Sequence, residues 1–197
     1  MKRIALAFVA IVALAGTAFA QMPQARKMGV GLAYQAITVT DNSGSFSFPG
    51  LALHIDGIMG DPLCFISSFS VGMPGTIKNV ATGATTDISN AFSPRLTMDG
   101  IMGLGYNLRF SSMSVLLGAG VAFNSVQLLA KDYYTTDSFM AIMGGIGAVV
   151  DVSVALSPML ELFGGIRYEN CFMEILSTVA TERSVALTPH AGIRFFY

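Results

Sequence analysis

From residue 27 onward the chain alternates between bulky apolar side chains and small or polar ones. Met28, Val30, Leu32, Tyr34 and Ala36 fall on one side of an extended segment, with Gly29, Gly31, Ala33 and Gln35 on the other. This is the period of two that a β-strand imposes. Leu63, Phe65, Ser67, Phe69 and Val71 oppose Cys64, Ile66, Ser68, Ser70 and Gly72 in the same way. Further on, Met140, Ile142, Ile146, Ala148, Val150, Val152 and Val154 oppose Gly145, Gly147, Asp151 and Ser153. The pattern predicts eight strands, over residues 27–40, 51–59, 63–73, 95–107, 113–125, 139–156, 160–172 and 185–197. Longer connections at 41–50, 74–94, 126–138 and 173–184 alternate with tight turns at 60–62, 108–112 and 157–159. That order describes an all-β fold, an eight-stranded antiparallel up-and-down barrel with long loops at one end and both termini at the other.

The two faces differ in character. The bulky apolar set is the cleaner one, and the opposite set collects glycines, small polar residues and charges. A water-soluble barrel would reverse this, so the apolar face, with Leu53, Phe69, Leu117, Val150 and Ile193, is expected to meet lipid in a transmembrane barrel. A helical membrane protein is the rival reading, because residues 139–156 carry a single charge, Asp151, and are long enough to span. Gly144, Gly145 and Gly147, and the lack of comparable runs elsewhere, favour a strand.

Composition sharpens this reading. Hydrophobic residues make up 53% of the chain and charged residues 12%, where soluble domains carry about a quarter charged. The net charge of −1 and the absence of any Lys/Arg run exclude a nucleic-acid binder. Cys64 and Cys171 stand far apart with no metal-type spacing and read as small hydrophobes, a disulfide being the alternative. Strands on opposite walls of a barrel would hold them beyond bridging distance.

The N-terminus reads as an export signal. Lys2 and Arg3 precede an apolar run, and Ala18-Phe19-Ala20 supplies a small-residue cleavage site, so residues 1–20 are expected to be a secretory signal peptide and 21–197 the barrel domain. The other end closes on Ile193, Phe195 and Tyr197, an apolar-alternating strand with a terminal aromatic residue. That ending resembles the signal by which the outer-membrane assembly machinery recognises its substrates. Phe65, Tyr106, Phe195 and Tyr197 are expected at one rim, and Tyr34, Phe123, Phe139 and Tyr168 at the other, as two interfacial girdles.

Over its whole mature length the chain resembles the small outer-membrane barrels typified by the membrane domain of OmpA, OmpX and OmpW. The resemblance implies a diderm bacterial outer membrane and contact with outer-membrane lipids. It also implies assembly by the barrel-assembly machinery with periplasmic chaperones. Roles in that group range over anchoring, adhesion to a host-surface ligand and passage of small apolar solutes. No cell-wall-binding domain is expected after residue 197.

The residues that could carry chemistry sort inward: His54, Asp56, Arg95, Asp99, Asp151, Glu161, Arg167, Glu169, His190 and Arg194. Charges in a narrow interior must pair. Strand order places Arg167 near His190 with Glu169 close by, and Glu161 near Arg194 with Asp151 diagonal to it. A salt-bridged core is the leading reading, a narrow channel the second and a lipid-modifying enzyme the third. No Ser-His-Asp signature, phosphate loop or metal spacing appears, so a non-enzymatic barrel without cofactor or metal is expected. Its surface loops face outward and its interior is polar, passing small solutes if open.

Overall fold

The computed structural model describes residues 26–131 and 138–196; the expected signal peptide and Tyr197 lie outside them. Its strands are β1 (Arg26–Asp41), β2 (Gly44–Met59), β3 (Leu63–Gly72), β4 (Thr76–Asn79), β5 (Thr85–Asp87), β6 (Phe92–Phe110), β7 (Met113–Ala130), β8 (Phe139–Ser157), β9 (Leu160–Ser177) and β10 (Thr181–Phe196). The order β1-β10-β9-β8-β7-β6-β3-β2 returns to β1 through the β1–β2 pairing, so eight antiparallel strands form a ring. Closure leaves the ring without an open edge. β4 and β5 make a small hairpin within the β3–β6 connection, joined to β2 through Phe46↔Asn79 and Ser47↔Lys78.

The faces follow the alternation. On β8, Val150 is 43% exposed on the outside while Asp151, the next residue, is 3% exposed on the inside. Leu53, Leu117 and Ile193 also face out, with Phe69 partly covered. Tyr34, Tyr106, Tyr168 and Phe195 are exposed on the outer wall. Phe139 is not part of an outer girdle: it stacks on Phe48 at 5.8 Å inside the barrel, as the parity of Ala141 and Met143 on its strand requires.

The ring is taller than the alternation predicts: most of the excess lies at the loop end, and at the turn end β6 runs on to Phe110, so the expected turn at 108–112 shrinks to Ser111-Ser112. β2 begins at Gly44, β7 runs to Ala130, β9 to Ser177, and β10 starts at Thr181. The expected first loop shrinks to the turn Asn42-Ser43, where Asp41 Oδ1 accepts hydrogen bonds from the Ser43 and Gly44 amides (2.7 and 3.1 Å). On β2 and β7 these segments escape prediction because their polarity is inverted, and on β9 because bulges break the alternation. Here Ile37, Val39, Phe48, Val126 and Leu128 point inward and form one buried cluster with Ala141, Ala186 and Ile88 of the β5–β6 connection. Thr38, Thr40, Ser45, Ser47 and Gln127 face outward. A run such as Ser-Phe-Ser-Phe therefore reads as loop composition, although it is a strand with its polar face in water.

Two further apolar clusters line the interior: Ile58, Cys64, Ile66, Leu116 and Val149 toward the termini, and Ala122, Met143 and Cys171 higher up. Cys64 and Cys171 sit in separate clusters, each buried and unlinked. Glycines face each other across three ladders, as in Gly31↔Gly192, Gly103↔Gly120 and Gly120↔Gly147. A Cβ at Gly31 or Gly103 would lie 2.1 Å from a backbone carbonyl of the neighbouring strand. Only glycine allows that approach.

Candidate functional site

Below the apolar cluster at the loop end, the barrel interior is filled by ionisable side chains from six strands. At the level nearest the termini, Lys27 Nζ donates to Glu161 Oε1 at 2.7 Å and lies 4.6 Å from the Phe196 ring centroid. Ser114 and Ser153 share a hydrogen bond of 2.7 Å between β7 and β8. An open cleft lined by Ser111, Ser112, Ser114, Arg109 and Glu161 gives this level access from the turn end.

The middle level is built on Arg194. Its Nε and Nη2 both reach Asp56, with Nη2 to Oδ2 at 2.6 Å, and Nη2 also pairs with Asp151 Oδ2. The guanidinium lies over the Phe163 ring at 4.0 Å. His190 Nε2 meets Asp151 Oδ1 at 2.8 Å, and its Nδ1 donates to the Thr188 carbonyl at 3.0 Å. Both ring nitrogens thus face acceptors. His54 stacks on His190 with centroids 4.1 Å apart and planes 11° from parallel.

The upper level is built on Arg167. Nη1 donates to Ser68 Oγ (2.6 Å) and Nη2 to Ser70 Oγ (3.0 Å). Nη2 also pairs with Asp99 Oδ1 at 2.7 Å. Gln35 donates to the same Asp99 oxygen (2.7 Å) and accepts from Thr97 Oγ1 (2.6 Å), and Thr188 Oγ1 donates to the other Asp99 oxygen. Arg167 Nε and Glu169 Oε1 are 2.7 Å apart, but off the N–H axis, so the pair is ionic without a formed hydrogen bond. With its amide turned, Asn124 donates to Glu169 and accepts from Ser184 Oγ (3.1 Å). The buried set holds five carboxylates, Asp56, Asp99, Asp151, Glu161 and Glu169, against three fixed cations, Lys27, Arg167 and Arg194.

The structure therefore brings His54, Asp56, Asp99, Asp151, Glu161, Arg167, Glu169, His190 and Arg194 into one buried column, but with partners that differ from those the strand order suggests. Glu161 pairs with Lys27 and not with Arg194, whose fork is occupied by Asp56 and Asp151. Arg167 pairs with Asp99 and Glu169, and His190 pairs with Asp151. Arg95 stands apart at the loop end, partly exposed. Lys27, Gln35, Thr97, Thr188 and Asn124 complete the network and escape the sequence reading. The signal for Lys27 lay in its parity with Gly29 and Gln35.

One arrangement bears on catalysis. Ser70 Oγ lies 3.1 Å from His54 Nδ1, and His54 Nε2 is 3.7 Å from Asp56 Oδ2, so the histidine does have a serine neighbour, supplied by the adjacent strand. Ser70 is 1% exposed and His54 0%. A nucleophile there has no face open to a substrate. Among the described residues, no group of three His, Cys, Asp or Glu side chains is arranged to hold a metal ion.

No protein-family model matches the sequence, and no curated protein does. Solved structures do. Neisserial surface protein A superposes with a TM-score of 0.58 at 16% identity, over 87% of this chain and 97% of that one. Ail, the attachment invasion locus protein of Yersinia pestis, gives 0.53 at 10% identity over 88% of this chain and 100% of its own. The outer membrane protein OprG from Pseudomonas aeruginosa gives 0.54 at 8% identity, over 88% and 96%. These are likenesses of fold, and the fold they share with this chain is that of the small outer-membrane β-barrel.

Proposed function

We propose that this chain is a non-enzymatic bacterial outer-membrane protein, a closed barrel that presents its loop end at the cell surface. Residues 1–20 serve as a cleaved signal peptide, the turn end and both termini face the periplasm, and the outer wall contacts lipid. The barrel-assembly machinery and periplasmic chaperones are its biogenesis partners, and the loop end is the surface for a host ligand. The observation that carries the closed reading is the filled interior: Arg167, Glu169, Asp99 and Arg194 are each at most 1% exposed, and the apolar cluster around Phe48, Ile88 and Leu128 lies above them. An eight-stranded ring is just wide enough for its own side chains. A solute would have to break paired charges to pass.

The test is a fractionation followed by electrophysiology. The protein should appear in the outer-membrane fraction as a heat-modifiable band and give no steady conductance in planar bilayers. A reproducible, ion-selective conductance step from the wild type would overturn the closed reading, and recovery from the inner membrane would overturn the location. Unaltered lipid A in mass spectra of expressing cells is expected, and a new modification there would establish the enzymatic alternative.

A further inference from the structure

On the β10, β1 and β2 side the outer wall turns polar well below the loop end. Tyr34 and Ala36 on β1 are followed outward by Thr38 and Thr40, and Leu51 and Pro49 on β2 by Ser47 and Ser45. On β10, Leu187 and Val185 give way to Arg183, which donates to Asn170 Oδ1 on β9 at 2.8 Å. β6 and β8 depart from this: on β6 the outward column stays apolar through Met98 and Leu96. On β8 the outward column Val154, Val152, Val150, Ala148 and Ile146 continues to Ile142 and Met140.

Next to it, β9 carries extra residues. Cys171 pairs with Gly145 and Met173 with Gly144, leaving Phe172 unopposed. Glu174 pairs with Met143 and Leu176 with Ile142, leaving Ile175 unopposed. Each such bulge breaks the strict in-and-out alternation. In consequence Phe172, Met173, Ile175 and Leu176 are all between 42% and 65% exposed, where plain alternation would turn half of them inward. Glu174, among them, turns its carboxylate to the Thr181 amide at 2.9 Å. Ile175 and Met173 lean over Gly144, whose missing Cβ would sit 3.3 and 3.6 Å from their tips. Ile146, 60% exposed, joins this surface to the column below.

An apolar surface of this kind marks an interaction site. Its occupant follows from continuity: the patch joins the outward apolar column of β8 through Ile146 and Ile142, while Asn170 interrupts the column of β9 below Phe172. We propose that the upper β8–β9 wall is immersed in the acyl-chain zone of the membrane. The hydrophobic band is then taller there than on the β1–β10 side, and the barrel sits tilted, with Thr38 and Arg183 at the aqueous interface. The inference rests on the membrane-spanning reading above.

The chain has no tryptophan, so single outward substitutions report depth without background. Val150→Trp, Ile175→Trp and Thr38→Trp would be reconstituted in phosphatidylcholine vesicles with and without brominated acyl chains, each checked for heat-modifiability, with Phe172→Trp as a second probe of the patch. The expected result is blue-shifted emission and strong bromolipid quenching in the Val150→Trp and Ile175→Trp variants, with red-shifted, acrylamide-accessible emission in Thr38→Trp. If the indoles of Ile175→Trp and Phe172→Trp both behaved like that of Thr38→Trp while Val150→Trp was quenched, the tilt would be overturned and the patch left as a docking face for a soluble partner. Absence of quenching in Val150→Trp would overturn the spanning reading itself.

Discussion

Lys27 on β1 closes on Glu161 of β9 at 2.7 Å, across the intervening β10, although Glu161's registered neighbour on β10 is Arg194. Arg194 is committed elsewhere, its fork held by Asp56 and Asp151, so the lysine is left to neutralise Glu161. Both partners are more than nine-tenths buried. Removing one member of a buried pair strands the other, at about 3 to 5 kcal/mol. Lys27→Met should therefore destabilise strongly, and Lys27→Met with Glu161→Gln should recover much of the loss. A double-mutant cycle by urea unfolding in lipid vesicles should give a coupling of about 0.5 to 3 kcal/mol for this pair. A larger coupling between Arg194 and Glu161 would refute the assignment.

The stacked histidines should respond differently to the same change. His54 has an Nε2 that is buried with no hydrogen-bond partner, so His54→Phe keeps the ring stack and removes an unsatisfied atom. It should alter stability by about 1 kcal/mol, because Ser70 Oγ loses one partner but, unlike Ser114, keeps another in Arg167 Nη2. His190→Phe withdraws a partner from Asp151 and a donor from the Thr188 carbonyl, and should cost at least twice as much. Equal losses at the two sites would mean that the stack, not the polar contacts, holds this level together.

The ring of strands was legible because Val150 and Asp151, or Tyr34 and Gln35, differ so sharply in polarity that the period of two shows through. Where the rule inverts, as at Ser47 and Phe48 or Val126 and Gln127, the same period is present, but a lipid-facing template reads it as loop. Inward placement of ionisable residues followed from parity alone. Their pairing did not, because Lys27 reaches Glu161 across a whole strand and Asp99 gathers Gln35, Thr188 and Arg167 from three strands. Such contacts depend on side-chain length and barrel width, neither of which a strand register contains.

Gly100 and Gly103, three residues apart on β6, should tolerate a methyl group very differently. At Gly100 a Cβ would meet the Phe69 ring at 2.3 Å and the Phe123 ring at 2.8 Å, side chains that close over the glycine on the outer wall and can swing away. At Gly103 it would meet the Ala119 carbonyl at 2.1 Å and the Gly120 Cα at 2.5 Å, which cannot move without parting β6 from β7. Gly100→Ala should cost about 1 kcal/mol, and Gly103→Ala at or beyond the roughly 3 kcal/mol upper end of overpacking penalties. Unfolding midpoints in vesicles would rank them, and the reverse order would mean that the ladder is wider at Gly103 than described.

The outer wall makes the most direct demand on the membrane reading. Val150 lies in register between Leu117 of β7 and Ile166 of β9, each of them outward and exposed, with apolar rows above and below. Val150→Arg places a guanidinium in hydrocarbon with no neighbour to accept from it, which should cost about 2 to 4 kcal/mol near the midplane. Thr38→Arg, on the polar part of the same wall, should cost almost nothing, because its charge remains in water. Inside, Ser153→Val leaves Ser114 without its 2.7 Å partner, a loss of about 1 to 3 kcal/mol for a buried unsatisfied hydroxyl. Reversible unfolding in vesicles would compare the three variants. If Val150→Arg proved neutral while Ser153→Val stayed costly, the outer wall would be facing water, and the barrel would be a soluble one.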